Sequence, residues 1–286
     1  MNDYIIQSEI DKLTDGIVST RVRLRHPSYA SLMITDKGSL LKLLGSSYKL
    51  KQFFTGKEAR AAGLYLAPSK KAGLGINTCP MAGQCGSEDG PCLTWSGHLP
   101  QHHENQVRKT RAFFGYPREF LGQLIRDIQL AAFKSHLEGN VLFVRLNGTS
   151  DIHWEKYLQL DRMVEEIQGL GGFYDYTKFP LSARRPSDLY HLTFSVDEQR
   201  GSEKRAREYD EAGYPFAVVA TKEDHKWLTE QDGITDGDVT DFRWLDKGLV
   251  VLKAKQLRQQ KTRYVKAGKG LVRTAQQILK LLRVQA

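Results

Sequence analysis

The sequence predicts an α/β protein built around a partial (β/α) barrel. Short apolar segments alternate with amphipathic ones at a spacing of about 30 residues, which is typical of repeated βαβ units and a parallel sheet. Each apolar segment also ends in polar residues, and the functional side chains of a (β/α) barrel gather at the carboxyl ends of its strands. The four clearest strand-like segments are residues 141–148, 172–180, 189–197 and 215–222.

The clearest helix is predicted over residues 118–139. Its apolar residues recur at positions i, i+3, i+4 and i+7, and Gly139-Asn140 closes the pattern. Weaker patterns predict helices over 153–172 and 203–213, and additional strands at Leu64–Leu66 and Leu249–Leu252. The resulting division has an N-terminal mixed α/β segment at 1–60, a cysteine loop with a barrel-like domain at 61–246, and a basic C-terminal segment at 247–286.

Composition excludes several classes of protein. The chain has 286 residues, of which 40% are hydrophobic and 10% aromatic, so it is too apolar to be disordered. It has no apolar run of the roughly 18 residues that a membrane-spanning helix needs. The N-terminus lacks the basic and then apolar layout of a signal peptide. We therefore expect a cytoplasmic protein without a membrane span, located in the host cytoplasm if it is phage-encoded.

The positive charge is concentrated at the C-terminal end. The whole chain has a formal net charge of +9, yet residues 247–286 hold eleven Lys and Arg residues and no Asp or Glu. This asymmetry indicates a polyanionic partner or a membrane surface, or else a solvated, solubilising face. If the partner is nucleic acid, the predicted contacts are Lys261, Arg263, Tyr264 and Lys266, where an aromatic ring lies among cations. Beyond them, residues 271–284 predict a basic helix whose apolar face packs on the protein body.

The three cysteines form the most informative feature of the sequence. Cys79, Cys85 and Cys92 fall within 14 residues, with the spacing C-x5-C-x6-C, on a loop rich in glycine. Three thiolates on one loop can hold a [4Fe–4S] cluster with one iron left open. Alternatively, His98, His102 or His103 completes a tetrahedral Zn²⁺ site. The third interpretation is three buried thiols without a metal.

The residues around the cysteines resemble the phage gene product 88 family. The resemblance rests on residues 77–85 (NTCPMAGQC), 92–94 (CLT), 145–148 (RLNG), 150–157 (SDIHWEKY) and 173–178 (FYDYTK), and it covers about residues 60–225. It implies a protein of a phage or mobile element.

The order of elements, a three-cysteine loop followed by βα repeats, resembles radical S-adenosylmethionine enzymes, although those usually space their cysteines as C-x3-C-x2-C. This resemblance implies an enzyme with a [4Fe–4S] cluster and S-adenosylmethionine, whose substrate the sequence does not name. It places Asn147, Gly148 and Asp151 near the amino group of that cofactor, and Lys178, Ser195 and Lys222 at the barrel mouth by position. The alternative function is a zinc-stabilised, nucleic-acid-binding protein acting in phage or plasmid replication or regulation.

Overall fold

A computed structural model describes residues 2–12, 28–45, 59–86, 92, 99–254 and 271–283. Within these residues the chain is a mixed α/β protein with one mostly parallel nine-stranded sheet. The strand order is β1-β2-β3-β4-β5-β6-β8-β7, and β9 pairs with β6. The sheet is open over the described residues, because β1 and β7 end this order without pairing with each other.

The elements have the following bounds. The strands are β1 (Leu44–Gly45), β2 (Ala59–Leu64), β3 (Val141–Arg145), β4 (Leu170–Thr177), β5 (Tyr190–Ser195), β6 (Phe216–Ala220), β7 (Thr235–Asp236), β8 (Leu249–Lys253) and β9 (Val272–Arg273). The helices are α1 (Tyr29–Met33), α2 (His103–Gly115), α3 (Pro117–Leu137), α4 (Leu160–Glu166), α5 (Ser202–Glu211), α6 (Lys222–Leu228) and α7 (Ala275–Arg283). Residues 7–12 are also helical.

The chain divides into two compact units that interleave in sequence. The first unit comprises residues 1–80, 101–173 and 187–190, and the second comprises residues 81–100, 174–186 and 191–286. The sequence-based division at residues 60 and 246 stays a prediction.

In the first unit, helix α3 packs on strands β3 and β1. Strands β2, β3 and β4 pair in parallel, and β1 adds an antiparallel edge. Helix α3 begins with Pro117 at its first turn, where the missing N–H costs no helical hydrogen bond. It ends before Gly139, whose φ of +74° favours glycine. A cluster of buried aromatic rings joins helix α2 to the segment after β3, with Phe113 lying 5.1 Å from Trp154 between ring centroids. Burial of these rings stabilises the unit.

The second unit is built around β6 and β8. These strands are short apolar runs, FAVVA and LVVLK, that pair in parallel over five residues. Continuous apolar runs are typical of strands buried on both faces. Helix α5 packs on β6, and helix α6 packs on both β8 and α7.

The predicted α/β class and its parallel strands are confirmed, whereas the predicted barrel is not, because the sheet over the described residues is open. The additional strand predicted at 249–252 corresponds to β8, and the one predicted at 64–66 overlaps β2 only at Leu64. The single helix predicted over 153–172 is wrong. A short 3-10 turn (Trp154–Lys156) and helix α4 replace it, and β4 already begins at Leu170. The reason is that the buried indole of Trp154 donates a hydrogen bond to Asn147, which holds this stretch in a turn.

No helix in the described part of the chain is both long and apolar enough to cross a membrane. The predicted docking of the C-terminal helix agrees with the structure, since Ile278 and Leu281 of α7 are buried. Leu279 and Leu282, predicted to lie on the buried face, are half-exposed instead.

Candidate functional site

Two predicted site residues of the second unit meet beyond the carboxyl ends of their strands. Lys178 follows β4 directly, and Ser195 is the last residue of β5. The ammonium group of Lys178 donates hydrogen bonds to the hydroxyl of Ser195, at 3.2 Å, and to its carbonyl oxygen, at 3.3 Å. The structure thus brings together two residues that the sequence analysis related only by their position in the strands.

A buried carboxylate, that of Asp197, lies beside Lys178 and is contacted by several polar groups. Its side chain has no exposed surface, and it lies 3.7 Å from the Lys178 ammonium and 3.8 Å from the Arg205 guanidinium. Gln199 donates to it twice, from its backbone N–H and from its side-chain amide. Burying a carboxylate is unfavourable unless it is paired and hydrogen-bonded, and both conditions hold here.

Sequence reasoning missed Asp197. The signal that could have found it is its position two residues beyond the end of an apolar strand, within the segment FSVDEQ.

Gln199 connects Asp197 to the cysteine loop. Its side-chain amide donates a 2.7 Å hydrogen bond to the carbonyl of Met81. The next turn, Gly83–Gly86, is a 3-10 turn. Gly83 has a φ of +50°, and a Cβ at this position would collide with the carboxylate of Glu198 and the amide of Gln199. The positive φ favours glycine at this position, whereas the two contacted atoms are the ends of flexible side chains.

Two of the three predicted cysteine ligands are hydrogen-bonded to each other. The thiol of buried Cys92 bonds to the sulfur of Cys85 and thereby lowers the pKa of Cys85 to about 7, from the ordinary value of 9.0. Burial opposes this shift in pKa, whereas the positive charge of Lys178 adds to it. The thiolate is the form of cysteine that acts as a nucleophile or a metal ligand. A pKa of about 7 means that much of Cys85 is in this form near neutral pH.

Cys79 belongs to the first unit and has a different environment. Its sulfur accepts a hydrogen bond from the backbone N–H of Ser69 at 3.3 Å and lies 3.7 Å from the carbonyl of Thr149. The preceding residue, Thr78, is fully buried and donates its hydroxyl hydrogen to the carbonyl of Ala67. Cys79 is therefore held beside the segment that follows β3.

That segment contains the predicted cofactor-contact residues Asn147, Gly148 and Asp151. The side-chain oxygen of Asn147 accepts hydrogen bonds from the Ser150 hydroxyl, the Ile152 N–H and the Trp154 indole. Its amide nitrogen donates to the carbonyl of Ile152. Asn147 therefore stabilises the turn through its side chain, as asparagine commonly does in turns.

Gly148 and Asp151 connect this turn to its neighbours within the first unit. The N–H of Gly148 donates to the carbonyl of Leu64 at the end of β2, and the N–H of Asp151 donates to the carbonyl of Thr78. A Cβ at position 148 would lie 2.7 Å from that Leu64 oxygen, so the close approach requires glycine. The carboxyl ends of β2 and β3 and the Cys79 segment are therefore held together.

Comparison with known protein families now identifies the chain. The sequence model of the family described as Gene product 88 matches residues 39–268, which is most of the chain. The protein belongs to the gene product 88 family. No curated protein and no solved structure matches the chain.

The gene product 88 match includes all three cysteines. It also includes Asn147, Gly148 and Asp151 after β3 and the group of Lys178, Ser195 and Asp197. It extends beyond the segment of about 60–225 that the sequence analysis assigned to this family of phage proteins. Helix α7, at Ala275–Arg283, lies outside the match.

The cysteines of this gene product 88 protein do not form a group of three ligand atoms within the described residues. Cys85 and Cys92 are adjacent in the second unit, whereas Cys79 belongs to the first. Of the alternative zinc ligands, His98 lies outside the described residues. His102 is exposed at the end of a 3-10 turn, and His103 begins α2. The metal ligand set stays a prediction.

The remaining predicted sites have mixed outcomes. Lys222 is the first residue of α6 and is exposed, so it does not join the group at Lys178. The predicted nucleic-acid contacts Lys261, Arg263, Tyr264 and Lys266 all lie outside the described residues.

Proposed function

We propose that this phage-family protein is an iron–sulfur protein, radical S-adenosylmethionine-like in its chemistry, in which Cys79, Cys85 and Cys92 bind a [4Fe–4S] cluster. The observation that supports the proposal is the thiol pair Cys85–Cys92, whose hydrogen bond lowers the pKa of Cys85 to about 7. Cysteines bind such clusters as thiolates, so a lowered pKa favours assembly at neutral pH. Cys79 enters the ligand set through its place in the C-x5-C-x6-C motif.

One cation beside the thiol pair favours an anionic centre, against the opposing charges of Glu198 and Asp197. The ammonium group of Lys178 favours the thiolate form of Cys85, and Asp197 holds that ammonium in place from its buried position. A cluster bound by three thiolates adds negative charge, which a neighbouring cation stabilises. In this proposal Lys178 sets the electrostatic environment of the metal ligands, and Asp197 positions Lys178.

S-adenosylmethionine would supply the radical chemistry once bound, and the protein would orient it and exclude water. Gly148, Asp151 and Ser195 are the proposed contacts of that cofactor. Asn147 contributes by fixing the turn in which Gly148 and Asp151 lie, through its hydrogen bonds to Ser150, Ile152 and Trp154.

Elemental analysis of protein purified without oxygen tests the cluster. We expect several iron atoms per chain, a brown colour and little zinc. Cys79→Ala, Cys85→Ala and Cys92→Ala should each abolish iron binding to a similar degree, because three ligands of one centre act as a unit. Stoichiometric zinc without iron would replace the proposal by the zinc site with His98 or His102. Unchanged iron content in two of the three variants would exclude a shared centre.

A second candidate function rests on the basic segment. Residues 255–270 contain Lys255, Arg258, Lys261, Arg263, Lys266 and Lys269 and no acidic residue. Such a segment releases counterions from nucleic acid, so its affinity should fall steeply with salt. Replacing Lys261, Arg263 and Lys266 together by Gln leaves β8, β9 and α7 in the chain and should weaken binding to single-stranded DNA. Equal affinity of the variant and the unmodified protein over a salt titration would show that these three residues do not bind DNA and form only a solvated surface.

A further inference from the structure

A histidine and two aspartates converge at the end of β7, away from the thiol pair in sequence. The Nε2 atom of His225 lies 3.1 Å from Oδ1 of Asp236 and 3.5 Å from Oδ2 of Asp238. One ligand atom of each residue lies within 4.8 Å of the other two. All three residues belong to the second unit.

Helix α6 fixes the position of His225. Thr221 caps the helix by accepting a hydrogen bond from the N–H of Asp224, and its carbonyl accepts one from the N–H of His225. His225 is only 6% exposed. The imidazole therefore has a defined place in the packed unit.

The edge of the sheet fixes the two carboxylates. Asp236 pairs with Val251 of β8, and the next residue, Gly237, donates its N–H to the carbonyl of Val251. A Cβ at Gly237 would lie within 2.7 Å of the side chains of Leu252 and Val250 in β8, so the close approach to β8 favours glycine. Oδ2 of Asp238 then accepts a 2.6 Å hydrogen bond from the N–H of Lys253.

The composition of this group suits a cation. It brings two carboxylate oxygens and one imidazole nitrogen together, and the side chain of Asp238 is only 14% exposed. Buried carboxylates are unfavourable unless paired or bound to a metal. Asp236, at 32% side-chain exposure, leaves a path to solvent.

We propose that His225, Asp236 and Asp238 bind a divalent transition-metal ion through one nitrogen and two carboxylate oxygens. This donor set suits ions such as Mn²⁺, Co²⁺ or Zn²⁺. Three protein ligands leave coordination positions for water or for an oxygen of a substrate. The site contains no thiolate. It is therefore separate from the proposed cysteine centre, and evidence for or against one site does not decide the other.

Titration of the full chain with Co²⁺, after removal of metals by a chelator, tests the site. Co²⁺ bound by nitrogen and oxygen absorbs weakly in the visible, whereas Co²⁺ bound by thiolates adds strong near-ultraviolet absorption. We expect one equivalent without the thiolate bands. His225→Gln should remove that equivalent, and His136→Gln, which changes a histidine bonded to Gln168 in the first unit, should retain it.

Asp236→Asn provides a second variant that keeps the shape of the side chain, and circular dichroism establishes that each variant folds. The Asp236→Asn protein should bind Co²⁺ at least tenfold more weakly than the unmodified protein. Equal Co²⁺ stoichiometry and affinity in His225→Gln, Asp236→Asn and the unmodified protein would overturn the proposal. Thiolate absorption accompanying all of the bound Co²⁺ would also overturn it.

Discussion

Lys178 and Asp197 form an ion pair in which the ammonium lies 3.7 Å from a carboxylate with no exposed surface. The two residues come from different strand ends, after β4 and after β5. Lys178 also lowers the pKa of Cys85, and Asp197 raises it, so both members of the pair act on this thiol.

Replacing Asp197 by Asn should destabilise the protein by about 3 kcal/mol, because removing one partner leaves buried cations without compensation. Lys178 and Arg205 are the cations concerned, at 12% and 15% side-chain exposure. Urea unfolding followed by circular dichroism measures the change. Asp232→Asn, in an exposed turn, is the matched control and should alter the free energy of unfolding by less than about 0.5 kcal/mol. A loss no larger than that of the control would mean that Asp197 does not balance these cations.

Alkylation of Cys85 in reduced, metal-free protein should have a midpoint near pH 7. Cys92→Ala removes the hydrogen bond that lowers the pKa most, so the midpoint should move toward 9, and Lys178→Met should move it less far. Mass spectrometry after timed exposure to iodoacetamide measures the rate at this cysteine. Lys204→Met, which removes an exposed lysine, should leave the profile unchanged. Identical profiles for Cys92→Ala and the unmodified protein would refute the role of the thiol pair.

The same pKa shift has a consequence for stability. The unfolded chain binds the Cys85 proton up to about pH 9, whereas the folded protein releases it near pH 7. The free energy of unfolding should therefore rise with pH between these values, and the contribution is lost as pH falls through 7. Cys85→Ser should flatten this part of the profile, measured by urea unfolding at a series of pH values. A rise as steep in the variant as in the unmodified protein would assign it to other groups.

Asn147→Ala should destabilise the first unit by about 3 kcal/mol, because buried hydrogen-bond donors lose their acceptor. The donors are the Ser150 hydroxyl, the Ile152 N–H and the Trp154 indole. Urea unfolding followed by circular dichroism measures the change. Asn140→Ala is the control, since its amide makes an exposed hydrogen bond to the carbonyl of Glu138. Equal stability of the two variants would refute the central place of Asn147 in the turn.

Gly148→Ala should destabilise the protein by roughly 1–3 kcal/mol, because the added Cβ would meet the Leu64 carbonyl at 2.7 Å and the Tyr65 ring at 2.6 Å. Thermal melting measures the loss. Gly45→Ala is the matched control, because the nearest atom to its added Cβ is 4.0 Å away, in the Tyr65 ring. A melting temperature for Gly148→Ala equal to that of Gly45→Ala would show that the turn accommodates the added methyl group without loss of stability.

Local patterns in the sequence predicted much of the fold. The segments predicted at 141–148, 172–180, 189–197 and 215–222 correspond to strands β3 to β6, because each is a short, mostly apolar run with polar residues near its end. The helix over 118–139 was predicted for the same kind of reason, since its periodicity and the Gly139-Asn140 stop are both local. Of the helix predicted over 153–172 only Leu160–Glu166 is an α-helix, because the buried indole of Trp154 donates a hydrogen bond to Asn147 that periodicity does not reveal.

The sequence by itself determined the α/β class, the cysteine motif, the basic C-terminal segment and, through the resemblance, the gene product 88 family. Only the tertiary structure brought Lys178 to Ser195 and Asp197, paired Cys85 with Cys92, and placed His225 against Asp236 and Asp238. The physical reason is that these partners come from separate elements, such as α6 and β7. Strand order and helix packing set their distances, and neither quantity is contained in local periodicity.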